Sequence, residues 1–403
     1  MSMSEKPVII VVNAGSSSIK LSIYTLSDSE PPRLAAHGKL EGIASHPELH
    51  AQLADGTEIA NEEFSEQDVP DHHAAYGKVR EVIKAELEDM TPVAVGHRIV
   101  HGGMTFSAPV VIDNAVRERL EALTPLAPLH QSHNLAGIDA VSKIAPDILQ
   151  IACFDNAFHH DRPEVSQLTG LPYHYYQQGL RRYGFHGLSY EYIAKVLPEI
   201  DPALARGKVI VAHLGNGASL CALDNGRSIE TTMSFTALDG LPMGTRCGAL
   251  DPGVLLFLQQ QHELSDDALQ RLLYQESGLK GLSGISSDME ALLASDETGA
   301  KRAIDFFVYR AAQAFGALAV ALGGLDGVVF TGGIGEHAAP IRAAIIDRLA
   351  KLLPVALDEQ ANRAADPALI SRVDSRIQVR VIPTDEEGML AEHTWRLWRA
   401  TRM

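Results

Sequence analysis

The stretch that most constrains this chain is Val8 to Tyr24, read as VIIVVNAGSSSIKLSIY. Five β-branched residues in a row, Val8 to Val12, stop at Asn13-Ala14-Gly15-Ser16-Ser17-Ser18, and an apolar alternation follows at Ile19, Leu21 and Ile23. The pattern predicts a buried strand, a tight polar turn and a returning strand. The turn carries little side-chain bulk, a permissive glycine, three hydroxyls and a run of backbone N–H groups, with Lys20 just beyond it. Those parts can wrap phosphate oxygens. An ordinary solvated hairpin loop has the same composition, so the stretch by itself leaves both readings open.

The rest of the chain repeats the design. Lys208 to Ala212 predicts an apolar strand, His213-Leu214-Gly215-Asn216-Gly217-Ala218-Ser219 a glycine-rich turn, and Ser219 to Leu223 a returning strand. Asp224-Asn225-Gly226 then has hairpin-turn composition. At 403 residues, two domains of similar design are expected, each offering a phosphate-facing turn to a cleft between them. A third strand, Leu325 to Phe330, runs into Thr331-Gly332-Gly333-Ile334-Gly335-Glu336 and a helix from about Pro340, an arrangement that suits anions. It is neither a Walker A loop nor GxGxxG. Ile377 to Ile382 is the last strand, and Pro383-Thr384-Asp385-Glu386-Glu387 opens a final helix whose dipole favours those carboxylates.

Between these landmarks, Leu34 to Leu40 reads as a strand, and Glu41 to Pro70 as surface loops and short strands. Asp71 to Asp89 reads as a helix with Ala75, Val79, Val82, Ile83 and Leu87 on one face. Pro92 to Val95 is a short strand leading into Gly96-His97-Arg98, and helices follow at about Asn114 to Leu123 and His133 to Ile144. Ile148 to Phe154 is a strand ending in Asp155-Asn156.

Charge narrows the partners. Thirty-four basic against 51 acidic side chains give a net charge of −17, which argues against nucleic acid and anionic membrane surfaces. An anionic substrate then needs locally placed arginines, and Arg98 and Arg246 are read as standing in glycine-flanked loops, one per half. Three cysteines without CxxC spacing, and no apolar leader in MSMSEKPVII, fit a soluble, reducing, cytoplasmic setting. The most apolar helical stretch, Ala311 to Leu322, is read as too short to span a bilayer. The pairs His97/His101, His159/His160 and His72/His73 lack a third ligand at suitable spacing, so zinc is not expected.

The ordered set NAGSSSIK (13–20), GHRIVHGG (96–103), LAPLH (126–130), FDNAFH (154–159), RRYGFHG (181–187), HLGNGAS (213–219), GLPMGTRCGALDPG (240–253), FTGGIGE (330–336) and PTDEE (383–387) resembles the acetate kinase family, of the superfamily that joins acetate and sugar kinases to actin. The resemblance spans nearly the whole chain. It implies an α/β fold of two ribonuclease-H-like, actin-like ATPase domains with a cleft active site. The domains are expected at 1–150 plus 384–403 (acyl and phosphate-turn domain) and 151–383 (nucleotide domain).

The resemblance further implies reversible transfer of the ATP γ-phosphoryl group to acetate, giving ADP and acetyl phosphate, with magnesium (or manganese) and a homodimer. It assigns Arg98 to the acyl carboxylate, Arg246 to the transferring phosphoryl group and His186 to its equatorial oxygens. His130 matches another active-site histidine, and Val100, Leu129 and Phe185 match the acyl pocket. Lys20, His213, Leu214, Gly215, Asn216 and Gly217 match phosphate contacts. Asp288, Met289 and Glu290, with Gly333, Ile334, Gly335 and Glu336, match the adenosine pocket. Asn13, Asp155 and Glu386 match the magnesium set, and for Asp155 a metal-organising role is preferred to proton transfer. An acyl carboxylate has a pKa of about 4–5 and needs no general base at neutral pH.

The chain departs from the family pattern at Glu290, where arginine is usual, which bears on base preference. Ala237 replaces the usual proline beside the acyl methyl group, which keeps a propionate- or butyrate-preferring kinase as the alternative. LHQSHN replaces LHNPxN, and TDEE replaces TNEE, putting Asp385 near the metal set. A non-catalytic actin-like ATP-binding protein is the reading from another class; Arg98, His186, Arg246 and Glu386 together argue against it.

Overall fold

The hairpin expected at Val8–Tyr24 opens an eight-stranded sheet in a computed structural model that describes residues 6–15, 18–27, 30–86, 89–364 and 368–402. Its strands are β1 (Lys6–Ala14), β2 (Ser18–Thr25), β3 (Arg33–Glu41), β4 (Glu48–Leu53), β5 (Glu58–Glu63), β6 (Met90–Ile99), β7 (Val110–Val111) and β8 (Leu149–Phe154), in the order β5-β4-β3-β2-β1-β6-β8-β7. β1 to β5 form an antiparallel meander, and β6 and β8 then join β1 in parallel. Three helices flank these strands in sequence: α1 (His72–Glu86), α2 (Asn114–Ala122) and α3 (Pro128–Ile144). Ala75 and Val79 of α1 are buried with Val8, Val12 and Leu21 of the sheet, and Val82 packs against the same cluster. Ser16, Ser17 and Leu87, and the side chain of Ile83, lie outside the described residues.

A second sheet has β9 (Lys208–Leu214), β10 (Ala218–Asp224), β11 (Arg227–Thr231), β12 (Gly327–Thr331), β13 (Ala368–Leu369) and β14 (Gln378–Val381), in the order β11-β10-β9-β12-β14-β13. β9, β10 and β11 are antiparallel, and β12 and β14 join β9 in parallel. The antiparallel meander followed by two parallel strands therefore occurs twice, and the hairpins β1–β2 and β9–β10 stand where the repeated sequence pattern predicts them. Asn225 and Gly226 both take positive φ at the β10–β11 turn, as a two-residue hairpin requires.

The chain divides into two compact units, Met1–Ala157 with Asp385–Met403, and Phe158–Thr384. A boundary at 150/151 would cut β8, which pairs with β6 up to Phe154; Asp155 then donates its N–H to the Ile99 carbonyl, so the chain stays with the first sheet past that point.

Three elements differ from expectation. Arg98 lies on a strand rather than in a loop, because β6 continues through Gly96 and His97 with backbone partners on both β1 and β8. α3 begins at Pro128 rather than His133: proline at the first helical position has no N–H to leave unsatisfied. The glycine run after β12 is itself helical, Gly332–His337, with the Glu336 carboxylate accepting from the Gly332 N–H at 2.8 Å.

The apolar stretch is also longer than read. The helix Thr298–Leu322 has 25 residues and is, by length and composition alone, apolar enough to cross a membrane. Ala300, Ala303, Phe307, Val308, Ala311, Phe315, Leu318 and Leu322 are buried on it at helical spacing, the pattern of a core helix with one apolar face.

Candidate active site

In the first unit the hairpin register sets Asn13 opposite Lys20 at the last turn of β1 and β2. β6 carries Arg98 beside Cys153 of β8, one residue before Phe154 and two before Asp155. Arg98 donates from Nε to Asp155 Oδ1 at 2.8 Å and from Nη2 to Oδ2 at 2.7 Å. Its Nη1 donates to Asn13 Oδ1 at 3.2 Å and stands 3.9 Å from Glu386 Oε2. Asn13, Arg98, Asp155 and Glu386, predicted from four separate segments, are thus one cluster. Burial works against the Arg98 charge, but Asp155 and Glu386 outweigh it and hold its pKa above the ordinary value. Burial pushes the Asp155 carboxyl up, against the pull of Arg98.

The carboxylates at the start of the last helix, Glu386–Ala400, divide their work. Asp385 caps that helix, accepting from the Gly388 N–H at 2.7 Å, so its side chain serves the helix end rather than the cluster. Glu387 accepts from the Ser22 hydroxyl, and Glu386 comes within 3.9 Å of Arg98. Val100 is half-buried, and its N–H donates to Asn134 Oδ1 at 3.0 Å. His130 sits in the first turn of α3, half-buried. The Leu129 side chain lies outside the described residues.

In the second unit, His186 has φ +58°, a left-handed conformation uncommon for a residue with a side chain, at the start of the helix Gly187–Ile200. Its Nδ1 shares a 2.8 Å hydrogen bond with Ser219 Oγ. The His186 ring stacks on His213, centroids 4.3 Å apart. His213 Nδ1 shares a 2.8 Å bond with Ser189 Oγ, which in turn bonds Thr384 Oγ1 at 2.8 Å. Both Nδ1 atoms are thus engaged by serine hydroxyls. A side chain at Gly217 would come within 3.2 Å of His186 Nε2 and 4.0 Å of Arg246 Nη1, and one at Gly215 within 3.9 Å of His213 Nε2 and of the Gly333 N–H nitrogen. The glycine turn therefore lets His186, His213, Arg246 and Gly333 approach one backbone.

His213 and Leu214 end β9 rather than lying in the turn, and Leu214 is fully buried. The Asn216 carbonyl accepts from the Gly244 N–H at 3.0 Å, tying the turn to the segment that carries Arg246. Arg246 Nη1 donates to the Ala237 carbonyl at 3.1 Å. Phe185 is buried, and its carbonyl bonds His159 Nε2 at 3.0 Å.

The residues matched to the adenosine pocket fall into two kinds. Gly333 is exposed with open space around it, while Glu336 turns its carboxylate onto its own loop and also accepts from the Thr384 N–H at 3.2 Å. Asp288 caps the short helix Met289–Leu293, accepting from the Glu290 N–H at 3.2 Å; Met289 is buried, and Glu290 is exposed. Ser189, Ser219 and Thr384, which orient the two histidines, were not singled out from sequence, although Ser219 and Thr384 lie inside HLGNGAS and PTDEE.

Two sheets of repeated design, one carrying an arginine–carboxylate cluster and the other stacked histidines with an arginine beside a glycine turn, have the architecture of a phosphotransferase on the actin-like ATPase fold. The acetokinase family model matches residues 8–392. Acetate kinases of Nitrobacter hamburgensis and Rhodopseudomonas palustris strain TIE-1 are 51% identical over 386 residues and 49% over 394, covering 96% and 97% of this chain and 95% and 98% of theirs. Among solved structures, a propionate kinase from Francisella tularensis superposes with TM-score 0.88 at 34% identity, and Porphyromonas gingivalis acetate kinase with 0.84 at 35%; each comparison covers 97% of this chain and 99% of the other. The chain belongs to the acetokinase family, and its activity is that of a kinase transferring phosphate to acetate.

Proposed function

We propose that the transfer is direct and in line, from the γ-phosphoryl group of ATP to a carboxylate oxygen of acetate, and reversible. The observation that carries this reading is the placement of one arginine with hydrogen-bonding partners in each unit, Arg98 beside Asp155 and Arg246 beside the Gly215–Gly217 turn. Phosphoryl transfer needs charge neutralisation and positioning more than covalent chemistry. In this reading Arg98 takes the acyl carboxylate, oriented by Asp155, and Val100, Leu129, Phe185 and His130 bound the acyl group. Arg246, whose Nη1 is held by the Ala237 carbonyl, and His186 meet the transferring group. Lys20, His213 and the 214–217 turn hold the nucleotide phosphates, and the 288–290 and 333–336 segments hold the adenosine.

The donor set beside Arg98 is all oxygen: an amide from Asn13 and carboxylates from Asp155 and Glu386. That chemistry fits Mg2+, which prefers hard oxygens and keeps several waters. Among the described residues no group of three or more His, Cys, Asp or Glu is placed to hold a metal, so the ion would take few protein ligands and share the phosphates. Bound there, it would neutralise phosphate charge. A cytoplasmic homodimer belongs to the same reading.

Ala237 favours a second reading, preference for a longer acid, because its methyl side chain takes less room than the ring usual in the family. The test of both is kcat/KM for acetate, propionate and butyrate with Mg-ATP, trapping the acyl phosphate with hydroxylamine. Acetate first is expected. Propionate first would keep the phosphoryl chemistry and change the substrate, and no product from any acid would sink the reading.

A further inference from the structure

Residues 182–186, the segment that delivers His186, belong to no helix or strand, yet Tyr183, Gly184 and Phe185 are buried. A buried loop must find partners for its backbone groups outside itself. The Ser234 carbonyl accepts from the Tyr183 N–H at 2.9 Å and from the Gly184 N–H at 3.2 Å. His159 Nε2 bonds the Phe185 carbonyl at 3.0 Å; a carbonyl only accepts, so Nε2 carries the proton and Nδ1, 2.8 Å from Ser228 Oγ, accepts. Arg162 Nη2 donates to the Arg182 carbonyl and, at 3.1 Å, to the Tyr183 carbonyl.

Arg162 is itself only 3% exposed. Its Nε donates back to the His159 carbonyl at 3.2 Å, and its Nη1 meets Glu230 Oε1 of β11 at 3.1 Å. Burying a guanidinium is costly unless its donors and its charge are met, and here both are. Arg162 and His159 thus form one clip that holds the carbonyls of residues 182, 183 and 185. Gly184, at φ +84°, runs close over it: a side chain there would come within 2.5 Å of Thr231 Cγ2 and 2.8 Å of His159 Cδ2. His186 follows at φ +58° with its Nδ1 on Ser219 Oγ. A left-handed residue that carries a side chain persists only where its surroundings over-determine it.

We propose that Arg162 is a positioning residue for His186: by holding the Arg182 and Tyr183 carbonyls it keeps the segment on the path that sets the His186 ring on Ser219 in its left-handed conformation. This rests on the reading of His186 as a contact of the transferring phosphoryl group. Arg162 touches no substrate in this scheme; it acts through the chain from Tyr183 to His186.

The test compares Arg162→Met, which keeps the stem and removes every donor, with Arg162→Lys, which keeps the charge beside Glu230 but brings one nitrogen where the fork brings three. Steady-state kinetics with Mg-ATP and acetate are measured alongside the ring 15N–1H NMR signals of His186, assigned by their loss in His186→Ala. Arg162→Met is expected to shift those signals and to lower kcat about tenfold, with KM for both substrates within about twofold. In the His186→Ala background the same change should lower kcat by less than about twofold, because no ring is left to misplace. A merely structural defect would cost as much in either background. Unmoved His186 signals in Arg162→Met overturn the proposal, as does an undiminished loss of kcat in the His186→Ala background. If Arg162→Met does not fold, Arg162→Lys decides: shifted signals and a kcat about threefold lower are expected, and wild-type signals overturn the proposal. Should His186→Ala turn over like wild type, the assigned phosphoryl contact falls, and the ring signals alone still decide whether Arg162 sets the position of His186.

Discussion

Arg98 meets Asp155 through two parallel bonds, 2.8 Å from Nε and 2.7 Å from Nη2, with the Asp155 side chain almost wholly buried. Such a fork fixes the guanidinium plane. Nη1 is itself engaged, donating to Asn13 Oδ1 at 3.2 Å, so in the proposed scheme the acyl carboxylate meets the Nη hydrogens that neither Asp155 nor Asn13 takes. Asp155 therefore orients the arginine, whatever share it takes in holding a metal.

Removing one partner of a buried ion pair leaves an uncompensated charge. Asp155→Leu should lower unfolding free energy by about 3 kcal/mol, the low end for buried pairs because Asn13 and Glu386 remain beside Arg98. Urea unfolding measures this, and a midpoint equal to wild type would show that the pair contributes nothing to the fold.

Arg246→Ala should lower kcat by about 10³ or more, by analogy with charge-stabilising arginines in phosphoryl transfer. The backbone of the Gly215–Gly217 turn is untouched, so Mg-ATP should still bind. Near-normal turnover, followed by hydroxylamine trapping, would remove the assigned role.

His97, His101 and His159 are buried and held well below the ordinary histidine pKa. Burial pulls His97 down to about 4, against a bond to Gln150, and His101 to about 4. Burial, then the Arg162 charge, pulls His159 to about 3. Their folded pKa values lie below the unfolded value of 6.5, so unfolding takes up protons as pH falls below about 6.5. The stability they contribute is fully present above that pH and is lost progressively towards pH 4 to 3. Near pH 5 unfolding should take up about three protons from this set, and His159→Gln should reduce the number by about one. Denaturant unfolding free energies between pH 7 and pH 4.5 give the count. A flat profile across that range would mean the rings are not buried neutral.

Much of the site was legible because its residues sit where a regular pattern breaks. Asn13 and Lys20 flank the point where a β-branched run stops, and strand pairing then fixes them opposite each other. Gly96-His97-Arg98 reads as a loop by local sequence; two flanking parallel strands supply backbone partners that the local sequence cannot display. The helix at Gly332 contradicts glycine's weak helix propensity, and a local contact supports it: the Glu336 carboxylate, four residues on, accepts from the Gly332 N–H. Ser189 and Thr384 are nearly two hundred residues apart, and only the fold shows that they orient the same histidine. His72 looked like half of a weak metal motif, and the structure spends its nitrogen on a backbone carbonyl.

The Ala237 carbonyl accepts from Arg246 at 3.1 Å, so this residue touches Arg246 through its backbone and carries only a methyl side chain, which in the proposed scheme faces the acyl chain. Proline at this position would keep the carbonyl and add ring carbons, and it would remove an N–H for which no protein acceptor is found among the described residues. Ala237→Pro should therefore preserve turnover with acetate while raising the acetate-to-propionate ratio of kcat/KM. One methylene of lost room is worth about 1–3 kcal/mol, or roughly 10- to 200-fold at full burial, and a partly filled pocket should give the lower end. The measurement is kcat/KM for both acids in wild type and variant under the same Mg-ATP concentration. A ratio that does not move would place the limit on chain length elsewhere, at Val100 or Phe185. A fall in turnover with both acids would mean that the proline has shifted the carbonyl that Arg246 uses.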